Sequence, residues 1–152
     1  MTISSATSSS GVSTLPRRWN VEIDGICWLP RMADKARMRQ SGKLGAYLMG
    51  HSPVDKALLE RLGLTTDEFV QIATSQPDDA ALLSALRARG FDEDRLRRWC
   101  ANFTKIYAVS IPLWDLDEGY RARNALQRPL IALCRLIEGP LMSAYRKISP
   151  AP

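Results

Sequence analysis

Residues 52–74 read SPVDKALLERLGLTTDEFVQIAT, and they decide the fold class because two helices start and one stops within them. Ser52 offers a hydroxyl to cap a helix, and Pro53 suits its first turn, where a missing N–H costs nothing. Val54, Leu58, Leu59 and Leu62 then recur at three- and four-residue steps, the stripe of a helix that buries one face. Gly63 closes that helix, since a left-handed helix end favours glycine. Immediately after it, Thr65-Thr66-Asp67-Glu68 forms a capping box that opens a second helix over 69–74.

Outward from this stretch the punctuation repeats. Pro77-Asp78-Asp79 starts a helix over 80–89 that Gly90 stops, and PRMADKARMRQ at 30–40 begins with Pro30 and ends before Ser41-Gly42. Asp92-Glu93-Asp94 opens 95–109, where Leu96, Trp99, Cys100, Phe103, Ile106 and Tyr107 keep the helical step; this segment is expected to be the long central helix. Acids early and bases late complement the helix dipole. Residues 19–29, WNVEIDGICWL, alternate weakly, and one such run cannot build a sheet alone, so an extended packing strip is expected there. The expected fold is all-α: a single small bundle-like helical domain over 17–120, a disordered Ser/Thr-rich leader over 1–16 and a helical C-terminal extension over 121–152.

At 152 residues, with 45% hydrophobic and 24% charged, the chain is sized and balanced for one domain rather than two. Nine Gly and nine Pro exclude collagen and low-complexity classes, and no apolar run approaches the roughly 20 residues of a membrane-spanning helix. The net charge of +5 is unevenly placed. Residues 1–120 carry 15 basic and 15 acidic groups, whereas 121–152 carry six basic groups against the single acid Glu138. An anionic partner would therefore meet the extension first. Cys27, Cys100 and Cys134 are too widely spaced for a disulfide framework or a metal knuckle, so reduced thiols and a cytoplasmic setting are expected.

Four pieces together, LPRMADKARMRQSGKLG at 29–45, the Pro53-x-Asp55 helix entry, LGLTTDEF at 62–69 and WDLDEG at 114–119, carry a family resemblance. The chain resembles a bacterial family of small proteins known as domain of unknown function 5069, over roughly residues 17–120. The resemblance implies no activity, and it leaves the leader and the extension outside the shared region.

Candidate site residues gather on the 30–40 helix. Arg31, Lys35 and Arg39 are four apart and share a face, and Asp34 lies within pairing distance of Arg31 and Arg37. Two readings stay open: a structural ladder of ion pairs, or an anion receptor for phosphate or carboxylate formed by Arg31, Asp34, Lys35, Arg37, Arg39 and His51. His51 is the sole histidine, which excludes a multi-histidine metal centre; Tyr47, Ser52 and Asp55 surround it in sequence. Asp115, Asp117 and Glu118 read as an acidic turn closed by Gly119, too short for a calcium loop, so neither metal nor other cofactor is expected. Were that turn to face the helix, Asp117 or Glu118 bridging to Arg31, Lys35 or Arg37 would make a buried polar network. Arg95, Arg97, Arg98 and Trp99 after the Gly90 turn suggest a helix-turn-helix. Asp92, Glu93 and Asp94 would then meet DNA phosphates, which argues against nucleic acid.

In the extension, LIALCRLIEGPLMSAY at 130–145 is apolar nearly all round and must be covered by its own core, a partner protein or a lipid surface. Arg128, Leu130, Leu133, Arg135, Leu136, Leu141 and Tyr145 are the candidate partner-binding residues. The preferred function is a noncatalytic accessory or interaction protein docking on a larger assembly through this extension. The alternative is a small-molecule or phosphate-binding protein, or an enzyme, using the basic helix face.

Overall fold

The computed structural model describes residues 15–120. The order is β1 (Glu22–Ile23), β2 (Ile26–Cys27), α1 (Leu29–Gln40), α2 (Pro53–Leu62), α3 (Thr66–Ser75), α4 (Asp79–Arg89), α5 (Glu93–Ala101), α6 (Phe103–Ile106) and α7 (Ser110–Asp117). The fold is predominantly helical, and no helix of the described residues is long and apolar enough to cross a membrane. The starts of α2, α3, α4 and α5 follow the capping chemistry of the sequence, whereas α1, α6 and α7 start without a side-chain cap. The Ser52 hydroxyl accepts from the Asp55 amide, Asp78 caps Ala81, Asp92 caps Arg95, and Thr65 and Glu68 complete a reciprocal capping box.

Three expectations need correction. Residues 19–29 are not merely an extended strip: they hold an antiparallel hairpin, with Glu22 opposite Cys27 and Ile23 opposite Ile26. Asp24 and Gly25 both have positive φ (49° and 73°), the backbone of a two-residue turn for which Asp-Gly is a preferred pair. The long helix expected over 95–109 breaks at Asn102. Its side-chain amide donates to the Arg98 carbonyl at 2.9 Å and its backbone N–H turns to Trp99, so the helical ladder is interrupted and restarts as the single turn of α6. The acidic turn expected at 115–118 is helical instead: Asp115 and Asp117 belong to α7 and Glu118 is its C-cap, because Ile111, Asp115 and Leu116 form a buried face.

The central position passes to α1, eight of whose twelve residues are buried and which packs on α3 and against β1. Its Met32, Ala33 and Ala36 meet the core formed by Ile26, Leu58, Leu59, Phe69, Leu82, Leu86 and Leu96, all essentially without solvent contact. The aromatic part of the same core gathers on one ring. The Phe103 ring lies 4.7 Å from Tyr107, 5.3 Å from Trp99, 5.7 Å from Trp28, 6.2 Å from Trp19 and 6.4 Å from Trp114, centroid to centroid. One side chain thereby joins α5, α6, α7 and the segment before the hairpin.

Phe103→Ala is expected to lower unfolding stability by about 3–5 kcal/mol in urea titration, with loss of near-ultraviolet dichroism from the surrounding tryptophans.

Candidate functional site

The start of α1 is built on an unusual backbone. Trp28, its N-cap, takes a left-handed conformation (φ 63°), which a bulky residue adopts only where surroundings enforce it. The enforcing contact is a 2.8 Å hydrogen bond from the Trp28 indole Nε1 to Asp55 Oδ1. Asp55, fully buried at the start of α2, also receives the Gly50 amide at 3.0 Å and the Lys35 ammonium at 2.5 and 2.6 Å. Lys35 completes its set with the Leu48 carbonyl at 2.9 Å, so its three N–H donors all have acceptors within the protein. Burial pushes its ammonium below the ordinary lysine value, with the Asp55 carboxylate opposing that shift.

One turn earlier, Arg31 forms a bidentate pair with Glu118 at the end of α7 and donates to the Arg17 carbonyl at 2.9 Å. The pair is almost sealed, with both side chains under 10% exposed, and the Arg31 guanidinium stands 5.2 Å from the Trp28 ring and 5.6 Å from Tyr47. Desolvation, with Glu118 beside it, pushes the Tyr47 phenol up to about 12. Glu118 therefore bridges to Arg31, one of the conditional arrangements read from the sequence, and does so inside the fold.

The remaining predicted site residues are dispersed among other pairs. Asp34 turns to Arg17, which grips it through backbone and side chain (2.8–3.0 Å), and not to Arg31. Arg17 also holds Asp79 at the start of α4, and Arg37 shares that carboxylate at 3.3 Å. Arg39 reaches Asp67 at 3.1 Å on the exposed side. His51 is half-buried in the loop before α2, its Nδ1 without a hydrogen-bond partner. Arg18 and the Trp19 indole meet Asp115, which is 1% exposed, at 2.6–3.0 Å. The partner-binding set from Arg128 to Tyr145 lies outside the described residues. Among the described residues, no three His, Cys, Asp or Glu side chains are grouped as metal ligands would be.

A separate groove of about 550 Å³ is lined by Arg61, Arg95, Arg98, Trp99, Asn102, Lys105 and Ile106. Arg95 is paired with Glu60 at 2.7 Å, whereas Arg61, Arg98 and Lys105 form no ion pair within 4 Å among the described residues. The Arg61 guanidinium lies 5.0 Å from the Trp99 ring centroid, donates to the Ala57 carbonyl at 2.7 Å, and leaves its buried Nε unpartnered. Sequence reading groups Arg95, Arg97, Arg98 and Trp99 on one helix, of which Arg97 turns instead to Asp24 and Glu93. It missed Arg61 and Lys105, which arrive from α2 and α6 and carry no local signal. It also missed Arg17, Arg18 and Asp79, whose partners are distant in the chain.

Compared with known proteins, residues 13–138 match a family model described as a domain of unknown function (DUF5069). The match extends past the 17–120 span of the resemblance, so residues 121–138 of the extension fall within the shared region. No curated protein and no solved structure matches the chain.

Lys35→Met is expected to cost about 3–5 kcal/mol in chemical denaturation, because it leaves the Asp55 carboxylate buried without its cation. Adding Asp55→Asn to that variant should recover at least about 1 kcal/mol, since the charge goes and an acceptor for Trp28 stays. A pH dependence follows from Asp79, whose carboxyl is held below the ordinary aspartate value chiefly by its bond to Arg17, with Arg37 adding to it. Its contribution is complete above the unfolded aspartate value and is lost as pH falls through the lowered folded value. Asp79→Asn should therefore lower stability at neutral pH and flatten its decline between about pH 5 and pH 2.

Proposed function

The chain belongs to the DUF5069 family, a domain of unknown function, and from that premise we propose that it is a noncatalytic interaction module that docks on a larger assembly by clasping an acidic segment of a partner protein. The observation that carries this reading is the groove in which Arg61, Arg98 and Lys105 stand without carboxylate partners beside the exposed Ile106. Unpaired cations around a concave surface favour anionic partners and steer their approach. Ile106 is 54% exposed and Val109, three residues on, is 81% exposed. An acidic peptide with apolar side chains would cover both kinds of surface, whereas a lone phosphate in so open a groove meets few donors. The extension, which continues from Tyr120, adds six basic residues against one acid and so suits the same partner chemistry.

The charged residues around α1 support a structural reading of that face, because Lys35 directs all three donors at internal acceptors and Arg31 does so through both terminal nitrogens, its Nε alone lacking a partner. Nucleic acid fits less well, since a phosphate backbone offers no apolar cover for the exposed Ile106 and Val109. A cytoplasmic setting accords with the free thiols of Cys27 and Cys100.

The test is fluorescence anisotropy of a labelled glutamate–leucine peptide with the full chain at low salt, with a DNA duplex and pyrophosphate as rival anions. Saturable peptide binding is expected, weakened about tenfold by combined Arg98→Glu and Lys105→Glu at unchanged helicity. Absence of peptide binding, or tighter binding of either rival that is lost in the same variant, overturns the proposal.

A further inference from the structure

We propose that Cys27 and Cys100 form a peroxide-responsive dithiol site, whose oxidation to a disulfide staples the β-hairpin to α5. The wide spacing of the two cysteines in sequence gave no reason to pair them, but the fold brings their sulfurs to 2.8 Å. Cys27 ends the hairpin and is 3% exposed; Cys100 lies near the end of α5 and is half-buried, so peroxide reaches the pair from the Cys100 side. A disulfide needs the sulfurs at about 2.05 Å, under an ångström closer than they stand in the thiol pair.

The two thiols are chemically unequal. Cys100 Sγ accepts two hydrogen bonds, one from the Cys27 thiol and one from the Cys27 backbone N–H at 3.1 Å. Both favour charge on Cys100, and the Arg61 guanidinium adds to them, so its thiol is lowered from the ordinary value. Cys27, donating its proton and buried, is pushed upward. Cys100 is thus the attacking thiolate and Cys27 the resolving thiol.

In the first step the Cys100 thiolate attacks one oxygen of hydrogen peroxide, forming an S–O bond, breaking the O–O bond and releasing hydroxide. That hydroxide takes the Cys27 proton as water. The Cys27 thiolate then attacks the Cys100 sulfenic sulfur, forming the S–S bond and expelling a second hydroxide. Two thiol sulfurs lose two electrons in all, and the two peroxide oxygens gain them. Trp28 follows Cys27 and Trp99 precedes Cys100, so two fluorophores flank the bond.

The full chain is treated with hydrogen peroxide, alkylated and mapped by peptide mass spectrometry, with tryptophan emission followed in parallel. The expected result is a Cys27–Cys100 linked peptide with Cys134 alkylated, reversal by dithiothreitol, and quenched emission while the bond stands. Cys27→Ala should leave a Cys100 sulfenic acid that dimedone traps, and Cys100→Ser should slow oxidation of Cys27 at least about tenfold. Preferential linkage through Cys134, no dimedone adduct in a folded Cys27→Ala chain, or full alkylation of Cys27 and Cys100 after peroxide treatment would each sink the proposal.

Discussion

The arrangement turns on one buried ion pair. Taking Lys35 and Asp55 out of water carries a desolvation penalty that is offset only if every remaining donor and lone pair finds a partner. Here they do: Asp55 receives Lys35, the Trp28 indole and the Gly50 amide, and Lys35 adds the Leu48 carbonyl. This cluster joins α1, α2 and the loop between them, and it holds Trp28 in the left-handed backbone that launches α1. Gly50 is part of the same constraint, because a Cβ there would fall 2.1 Å from Thr66 Oγ1. The polar groups at the centre of this helical fold therefore specify its geometry as the apolar ones do.

The same logic organises the outer charges. Arg17 gathers Asp34 and Asp79, Arg31 takes Glu118, and Arg18 takes Asp115, so the segment before the hairpin is fastened to α1, α4 and α7. On the exposed side, Asp24 and Glu93 lie between Arg87 and Arg97, joining the hairpin turn to α4 and α5; the Glu93 carboxyl is held down at about 2 by those two arginines. A body with equal numbers of acids and bases thus uses most of them internally, and cations without carboxylate neighbours accumulate around Arg61, Arg98 and Lys105. The partner preference proposed for the groove rests on that local concentration of cations.

Two aspects of α5 converge on Trp99. One side of this residue joins the aromatic cluster through Phe103 and Tyr107, and its ring carries Arg61 of the groove. Its neighbour Cys100 faces Cys27. The groove and the dithiol are therefore adjacent features of one short helix, with Arg61 acting on both through its charge. A disulfide at Cys100 would bear directly on the element that lines the groove.

Local chemistry was legible in the chain. The caps at Ser52, Thr65, Asp78 and Asp92 and the stops at Gly63 and Gly90 appear where their residue types require, because capping depends on neighbours within four positions. Apolar periodicity marked the helical class for the same reason, but could not see that Asn102 would divert a carbonyl and split the expected long helix. The Asp24-Gly25 pair carried a hairpin signal that reading 19–29 as a weakly alternating strip left unused. What no local rule contains is the choice of partner: Arg31 with Glu118 and not Asp34, Lys35 with Asp55, Cys27 beside Cys100, and Arg61 and Lys105 at one groove with Arg98. Helix propensity acts through contacts a turn away, whereas pairing and burial of charge depend on which distant elements pack together, and that was settled only when the tertiary structure closed.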